Sequence, residues 1–148
     1  MSINIIRASH ANEYELQNYY PLAKKHDIRV ITSQHPLTPI KLPNIPLWSP
    51  TDLPSFPHRR QLFNRLIGGE QWLVGLKEQI NAGDIVHTAE TYTPYTHQAV
   101  KLRRDGQLSK LICTCWETIP HANEKFARVR KWKKEAYQYV DLFHTPTV

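Results

Sequence analysis

The sequence predicts an α/β fold, a Rossmann-like doubly wound parallel sheet with helices on both faces. Two observations support this class. Five short apolar runs rich in β-branched residues alternate with longer amphipathic segments, and this alternation is typical of parallel sheets with right-handed crossovers. The runs show little polar-apolar alternation, which indicates strands that are covered on both sides. The length, 148 residues, suits one domain.

The five predicted strands cover residues 3–8, 27–33, 84–89, 110–115 and 141–144. A further segment, residues 36–57, contains seven of the 11 prolines. It is predicted to be a long irregular surface loop with a short edge strand at residues 45–48, because proline is tolerated at sheet edges.

Four helical segments are predicted between the strands. Residues 14–26 form the first, with either a kink at Pro21 or a short turn followed by a helix that restarts near Pro21. Residues 56–81 hold one or two helices interrupted near Gly68. Thr93 and Pro94 are typical of a helix start, and Gly106 ends that helix. The last helix is predicted over residues 123–139, where the apolar positions fall three and four apart: Phe126, Val129, Trp132, Ala136 and Val140.

The composition and the two cysteines indicate the class of protein and its cellular compartment. Hydrophobic residues make up 41% and charged residues 22%, as in globular domains rather than disordered or fibrous chains. No secretory signal or apolar stretch of about 20 residues is present. A disulfide between Cys113 and Cys115 would be strained at that spacing. Both cysteines are expected to be reduced, and the protein is expected to be cytoplasmic.

The net charge of +6 comes from one region. Residues 101–134 hold 10 Lys and Arg against three Asp and Glu. The pattern is typical either of a solvated helix face or of a surface for an anionic partner. Four residues are candidates for docking on an anionic membrane: Lys125, Arg128, Lys131 and Lys134. Nucleic acid is not favoured, because no helix-turn-helix, zinc-finger or RNA-binding signature accompanies them.

Ligands of open α/β sheets bind at the carboxyl ends of the strands. The candidate binding residues are therefore those that follow the strands: Ser9, His10, Asn12, Glu90, Thr91, Tyr92, Glu117 and His121. If the strands before Glu90 and Glu117 are neighbours, the two carboxylates can hold a polyol or act as acid and base. Helix capping or ion pairing is the alternative role. Tyr92 suits stacking on a sugar or base, or ordinary packing.

Several cofactor sites are not expected. The first strand-helix turn, residues 7–13, has no glycine, and no Gly-Lys-Ser or Gly-Lys-Thr occurs, so neither a dinucleotide fingerprint nor a P-loop is present. The eight histidines show no zinc spacing, and no metal is predicted. His97 is expected on a helix surface, and His87 is expected to be a hydrogen-bonded core residue.

Three segments, in this order, resemble the N-terminal domain of GT-B glycosyltransferases of the retaining, family-4-like (group 1) type. They are Asp84-Ile85-Val86-His87, Cys115-Trp116-Glu117 with the basic helix that follows, and the closing Asp141-Leu142-Phe143-His144-Thr145. The resemblance implies one Rossmann-like, acceptor-side domain over residues 1–148. It also implies a C-terminal domain, absent from this chain, that binds the nucleotide-sugar donor.

The resemblance also implies partners and site roles. The expected partners are the donor domain and a sugar or lipid-linked acceptor, with no cofactor and no catalytic residue of the chain's own. Docking at the inner face of the membrane is compatible with such acceptors. Many members have Gly-Gly where this chain has Ser9-His10, and many have a sugar-contacting histidine near Trp116. Here Glu117 or His121 would have to substitute for that histidine.

A second function remains open. The chain could be a stand-alone Rossmann-like binding module that docks on an anionic membrane or nucleic acid through its basic helix.

Overall fold

Six parallel strands form one open sheet in the computed structural model, which describes residues 1–117 and 123–145. The strands are β1 (Ile3–Ala8), β2 (Ile28–Ser33), β3 (Asn44–Leu47), β4 (Ile85–Ala89), β5 (Lys110–Thr114) and β6 (Leu142–His144). Their order across the sheet is β3-β2-β1-β4-β5-β6. The predicted fold class is therefore confirmed, and each predicted strand is present to within one residue at either end.

Side chains of the central strands point alternately to two apolar cores. Ile5 and Val30 belong to one core, with α1 (Glu13–Leu16) and α2 (Tyr20–Ala23). Ile6 and Ile31 belong to the other core. Two longer helices, α4 (Pro94–Arg104) and α5 (Ala127–Tyr139), cover that second core. Both faces of the sheet are thus covered, which explains the unalternated apolar strands.

The first two helical predictions were too long. Residues 13–23 form two single helical turns joined by a 3-10 turn. Pro21 lies in the first turn of α2, so the predicted restart of the helix near Pro21 is confirmed. Between β3 and β4, the helix α3 (Arg59–Leu66) ends before Gly68, as predicted. Gly68 has φ +87°, and a Cβ there would lie 2.0 Å from the Trp132 ring. The later residues of that segment form only a 3-10 turn, Lys77–Gln79.

The N-cap residue of each of the other two helices determines where that helix begins. Thr93 caps α4, accepting a hydrogen bond from the Thr96 amide. The last helix begins four residues later than predicted, because Phe126 is in an extended conformation and serves as its N-cap. Phe126 is therefore exposed rather than part of the buried helix face.

Asp84 ties together the amino ends of three strands. Its carboxylate accepts hydrogen bonds from the Ser2 amide and hydroxyl and from the Asn4 side chain, at 2.8–3.0 Å. The Asn81 amide and the Arg29 guanidinium also donate to it. Burial acts to raise the pKa of Asp84, but the hydrogen bonds outweigh it and lower the pKa to about 2.

We expect Asp84→Asn to lower the unfolding free energy by about 2 kcal/mol at pH 7, the value of a pKa depressed by about two units. A carboxyl with a depressed pKa stabilises the fold above its unfolded pKa, and this contribution disappears as the pH falls toward 2. The wild-type advantage over Asp84→Asn should therefore shrink between pH 4 and pH 2 in urea unfolding. Asp27→Asn, at an exposed position, is the matched control. Equal stability of wild type and Asp84→Asn at pH 7 would contradict this role.

Candidate functional site

A cleft of about 1220 Å³ lies at the carboxyl edge of the sheet. It is at the switch point, where β1 and β4 are neighbours and the chain leaves them toward opposite edges of the sheet. Its walls come from the turns after β1, β4 and β5, from α3, and from the start of α5. Open α/β sheets bind ligands at this position.

The buried Arg7 forms part of the cleft floor. It is 1% exposed, and its Nε donates to Glu15 Oε1 at 2.7 Å. Its Nη1 donates to the carbonyl oxygens of Ile6 and His87, at 2.9 and 3.1 Å. This pairing of a buried cation fixes β1, β4 and α1 relative to one another.

His87 lies beside Arg7 and is held by two hydroxyl groups. Its Nδ1 is 2.8 Å from the Tyr19 hydroxyl, and its Nε2 is 2.8 Å from Thr114 Oγ1. Burial, with the charges of Arg7 and His144, lowers the pKa of His87 to about 3. The prediction of a hydrogen-bonded core histidine is confirmed.

Glu90 lines the cleft directly after β4. Its Oε1 accepts from the Trp116 amide at 3.0 Å, whereas its Oε2 is buried with no hydrogen-bond partner among the described residues. Burial and the charge of Glu117 raise its pKa, against the Trp116 hydrogen bond and the Lys133 charge. The carboxyl group therefore has unused hydrogen-bonding capacity beside the cleft.

Two strand ends at this edge have left-handed backbone conformations. Ala8 ends β1 with φ +48°, and Glu90 follows β4 with φ +62°. Such conformations cost about 1–3 kcal/mol for residues other than glycine and cluster at ligand sites. At Glu90 the conformation is supported by a hydrogen bond from its amide to the Thr114 carbonyl, at 2.8 Å.

Glu117 comes to the same edge as Glu90 but has a different role. Its Oε2 is 2.9 Å from the Lys133 ammonium, which also lies 2.9 Å from Glu124 Oε1. Lys133 is 3% exposed, so Glu117 belongs to a buried ion pair and is not among the residues that line the cleft. Glu117 therefore makes the ion pair that the alternative role predicts.

The remaining predicted site residues divide into two groups. His10, Asn12 and Tyr92 line the cleft; the His10 ring is within 2.7 Å of Gln71 Nε2, and Asn12 caps α1. Ser9 and Thr91 do not line it: Ser9 is half-buried, and Thr91 is buried with an unpartnered Oγ1. His121 lies outside the described residues.

The predicted basic surface is divided by the fold. Lys125 precedes α5 and lines the cleft. Arg128 and Lys131 line a second groove beside α4, and Lys134 is exposed one turn further along. Lys125 is thus separated from Arg128 and Lys131, and membrane docking through the four residues stays a prediction. The prediction of an exposed His97 was also wrong, because that ring is buried against Trp132.

Sequence reasoning missed Arg7 and the polar side of α3, which supplies Arg60, Gln61 and Asn64 to the cleft. A charged residue inside the apolar run of β1 was the available signal for Arg7. No comparable signal existed for α3, because its position over the cleft depends on the preceding proline-rich loop.

Three further observations concern the cysteines, possible metal ligands and helix lengths of the described residues. Cys113 and Cys115 are free thiols with sulfur atoms 3.8 Å apart. Within residues 1–117 and 123–145, no three potential metal ligands come together, and no helix of this part of the chain could cross a bilayer.

The chain is a Rossmann-like α/β domain with a cleft at its switch point. No family model and no curated protein matches the chain.

We expect the His87 ring to stay neutral well below pH 6.5, because protonation would place a second cation beside buried Arg7. Its contribution to stability is present above pH 6.5 and declines as the pH falls toward 3, since the unfolded chain binds the proton first. Ring resonances followed by NMR between pH 8 and pH 4, assigned with His87→Gln, measure this. The same titration in concentrated urea is the control and should show a midpoint near 6.5. A folded-state midpoint near 6.5 would contradict the expected neutral ring.

Proposed function

We propose that this chain is the acceptor-binding domain of a GT-B glycosyltransferase of the retaining, family-4-like type, which transfers a sugar from a nucleotide-sugar donor to an acceptor. The cleft binds a sugar or lipid-linked acceptor. A second, donor-binding domain is the expected partner, and the protein is expected in the cytoplasm or at the inner face of its membrane.

The position of Glu90 carries this proposal. A half-buried carboxylate with one unpartnered oxygen stands at the switch point, where ligands of such sheets bind. A turn of the side chain would bring this buried oxygen to the cleft. There it would accept a hydrogen bond from an acceptor hydroxyl while Trp116 holds the other oxygen. A hydrogen bond to a charged group is stronger than one between neutral groups.

The other walls of the cleft suit a sugar. Tyr92 and Trp116 supply flat apolar surface. Side-chain amides and an imidazole supply hydrogen-bond donors and acceptors: His10, Asn12, Asn64 and Gln71. A hydroxyl-rich ring needs this combination of one apolar face and several polar neighbours.

The charged residues of the cleft suit a donor diphosphate less well than they suit a neutral sugar. The sequence lacks the glycine-rich turn that brings backbone amides to a diphosphate. Carboxylates line the cleft together with its cations: Glu15, Glu70 and Glu90. They balance the three cations of the lining, Arg7, Arg60 and Lys125. The lining therefore has no net positive charge to attract a diphosphate, which favours a neutral acceptor here and donor binding by a second domain.

We expect Glu90→Gln to weaken sugar binding about tenfold, because it replaces a charged acceptor by a neutral one. Glutamine keeps the length and can still accept the Trp116 hydrogen bond, so the fold should be retained. Saturation-transfer NMR on a panel of methyl glycosides, and of lipid-linked monosaccharides in detergent, measures the affinity.

Glu78→Gln is the matched control, since Glu78 is exposed in the turn Lys77–Gln79, away from the cleft lining. It should bind as the wild type does. Equal losses in Glu78→Gln and Glu90→Gln, or no binding of any sugar of the panel to the wild type, would contradict the proposal.

We also expect the 148-residue chain alone to transfer no sugar. Transfer from a nucleotide sugar requires stabilisation of the departing diphosphate by converging cations or helix N-termini in a site closed to water. An assay for released nucleoside diphosphate, with a panel of nucleotide sugars, tests this. Release above the rate of a heat-denatured sample would show that the chain has a donor site of its own.

A further inference from the structure

A second groove, of about 620 Å³, lies between α4, α5 and the residues that follow α3. It shares no lining residue with the cleft at the strand ends. Its function is therefore a separate question from acceptor binding.

Four cations from two helices line this groove. Lys101 and Arg104 come from α4, and Arg128 and Lys131 come from α5. Each pair is three residues apart, so its two members lie on the same face of their helix. Two carboxylates counter them in part. Asp105 lies 3.0 Å from the Arg104 Nε, and Glu135 lies 3.9 Å from the Lys131 Nζ.

The floor of the groove is aromatic. The His97 ring stacks on Trp132 with centroids 4.3 Å apart and planes at 15°. The Lys101 ammonium lies 5.8 Å from the centroid of the Trp72 ring, which forms another wall. Flat apolar surface thus lies directly beside the cationic groups.

His97 supplies a buried polar group without a hydrogen bond. Its side chain is 8% exposed, and its Nδ1 lies 3.4 Å from Glu135 Oε2. Neither atom makes a hydrogen bond among the described residues. Burial lowers the pKa of His97 to about 3, as do the charges of Lys101, Arg104, Lys131 and Arg128. All four cations therefore disfavour protonation of the His97 ring.

We propose that the groove between α4 and α5 is a phosphate-binding site for a phosphorylated ligand. A phosphate monoester carries about −1.5 to −2 charges at pH 7, which matches four cations opposed by two carboxylates. One guanidinium group can bind two phosphate oxygens at once, and each lysine ammonium adds a positive charge. The Trp72 and Trp132 rings can pack against the part of the ligand next to the phosphate.

The ligand's phosphate could come from a soluble compound or from a lipid headgroup, and two probes distinguish these sources. Calorimetry with inorganic pyrophosphate at low salt tests the soluble source. Co-sedimentation with phosphatidylglycerol vesicles, compared with phosphatidylcholine vesicles, tests the lipid source. Binding in either arm should weaken as salt is added.

The double variant Lys101→Gln with Lys131→Gln removes one cation from each helix. It should weaken binding about tenfold or more, because each lost contact is to a charged phosphate oxygen. The matched control is Lys24→Gln with Lys25→Gln, an exposed pair after α2 that makes the same change in net charge. The thermal midpoints of both variants show whether each is folded.

The indole resonances of Trp72 and Trp132 give a local readout of the groove. They should shift with pyrophosphate in the wild type and in the control pair, but not in the groove pair. Binding in one or both arms that is lost in the groove pair alone supports the site and identifies its source. No binding in either arm, or an equal loss in both double variants, would overturn the proposal.

Discussion

The fold of this chain depends on one buried cation at the centre of its sheet. Arg7 is the last residue but one of β1. Its guanidinium donates hydrogen bonds to backbone carbonyls of β1 and β4 and to the carboxylate of Glu15 in α1. A buried guanidinium is tolerated only when its donors are paired, so these elements must take up one arrangement. Burial, together with the same charge, keeps the neighbouring His87 ring neutral. That ring links the 3-10 turn Gln17–Tyr19 to β5 through the hydroxyl groups of Tyr19 and Thr114. These contacts join the elements that form the floor of the cleft.

Two residues with strained backbone conformations lie at the strand ends beside this floor. Ala8 and Glu90 take left-handed conformations at the ends of the two strands that flank the switch point. Neither is glycine, so the surrounding packing must support the cost of each. The result is that the chain turns sharply after β4 and brings the Glu90 carboxyl next to the Trp116 amide. The left-handed conformation of Glu90 thus places a carboxyl group at the carboxyl edge of the sheet.

The basic segment shows how one run of charge can serve three separate environments. Lys133 is buried and neutralised by Glu117 and Glu124, where it holds the start of α5 against the strand end. Lys125 reaches the cleft, whereas Arg128 and Lys131 turn toward α4. A helix has 3.6 residues per turn, so consecutive basic residues necessarily separate onto different sides. Net charge alone therefore does not identify a binding surface here.

By itself the sequence determined the fold class, the strands and the region of the site, because apolar runs, caps and the strand-end rule are local signals. Thr93 starts α4, and Gly68 follows the end of α3. Both helix boundaries were predicted from residues next to them in the sequence. Tertiary structure decided which polar residues meet. Glu117 pairs with Lys133, sixteen residues away along the chain, and His97 is buried because α5 packs on α4. Those contacts depend on how helices pack across the sheet, and no local pattern encodes the distance between two side chains that come from different elements.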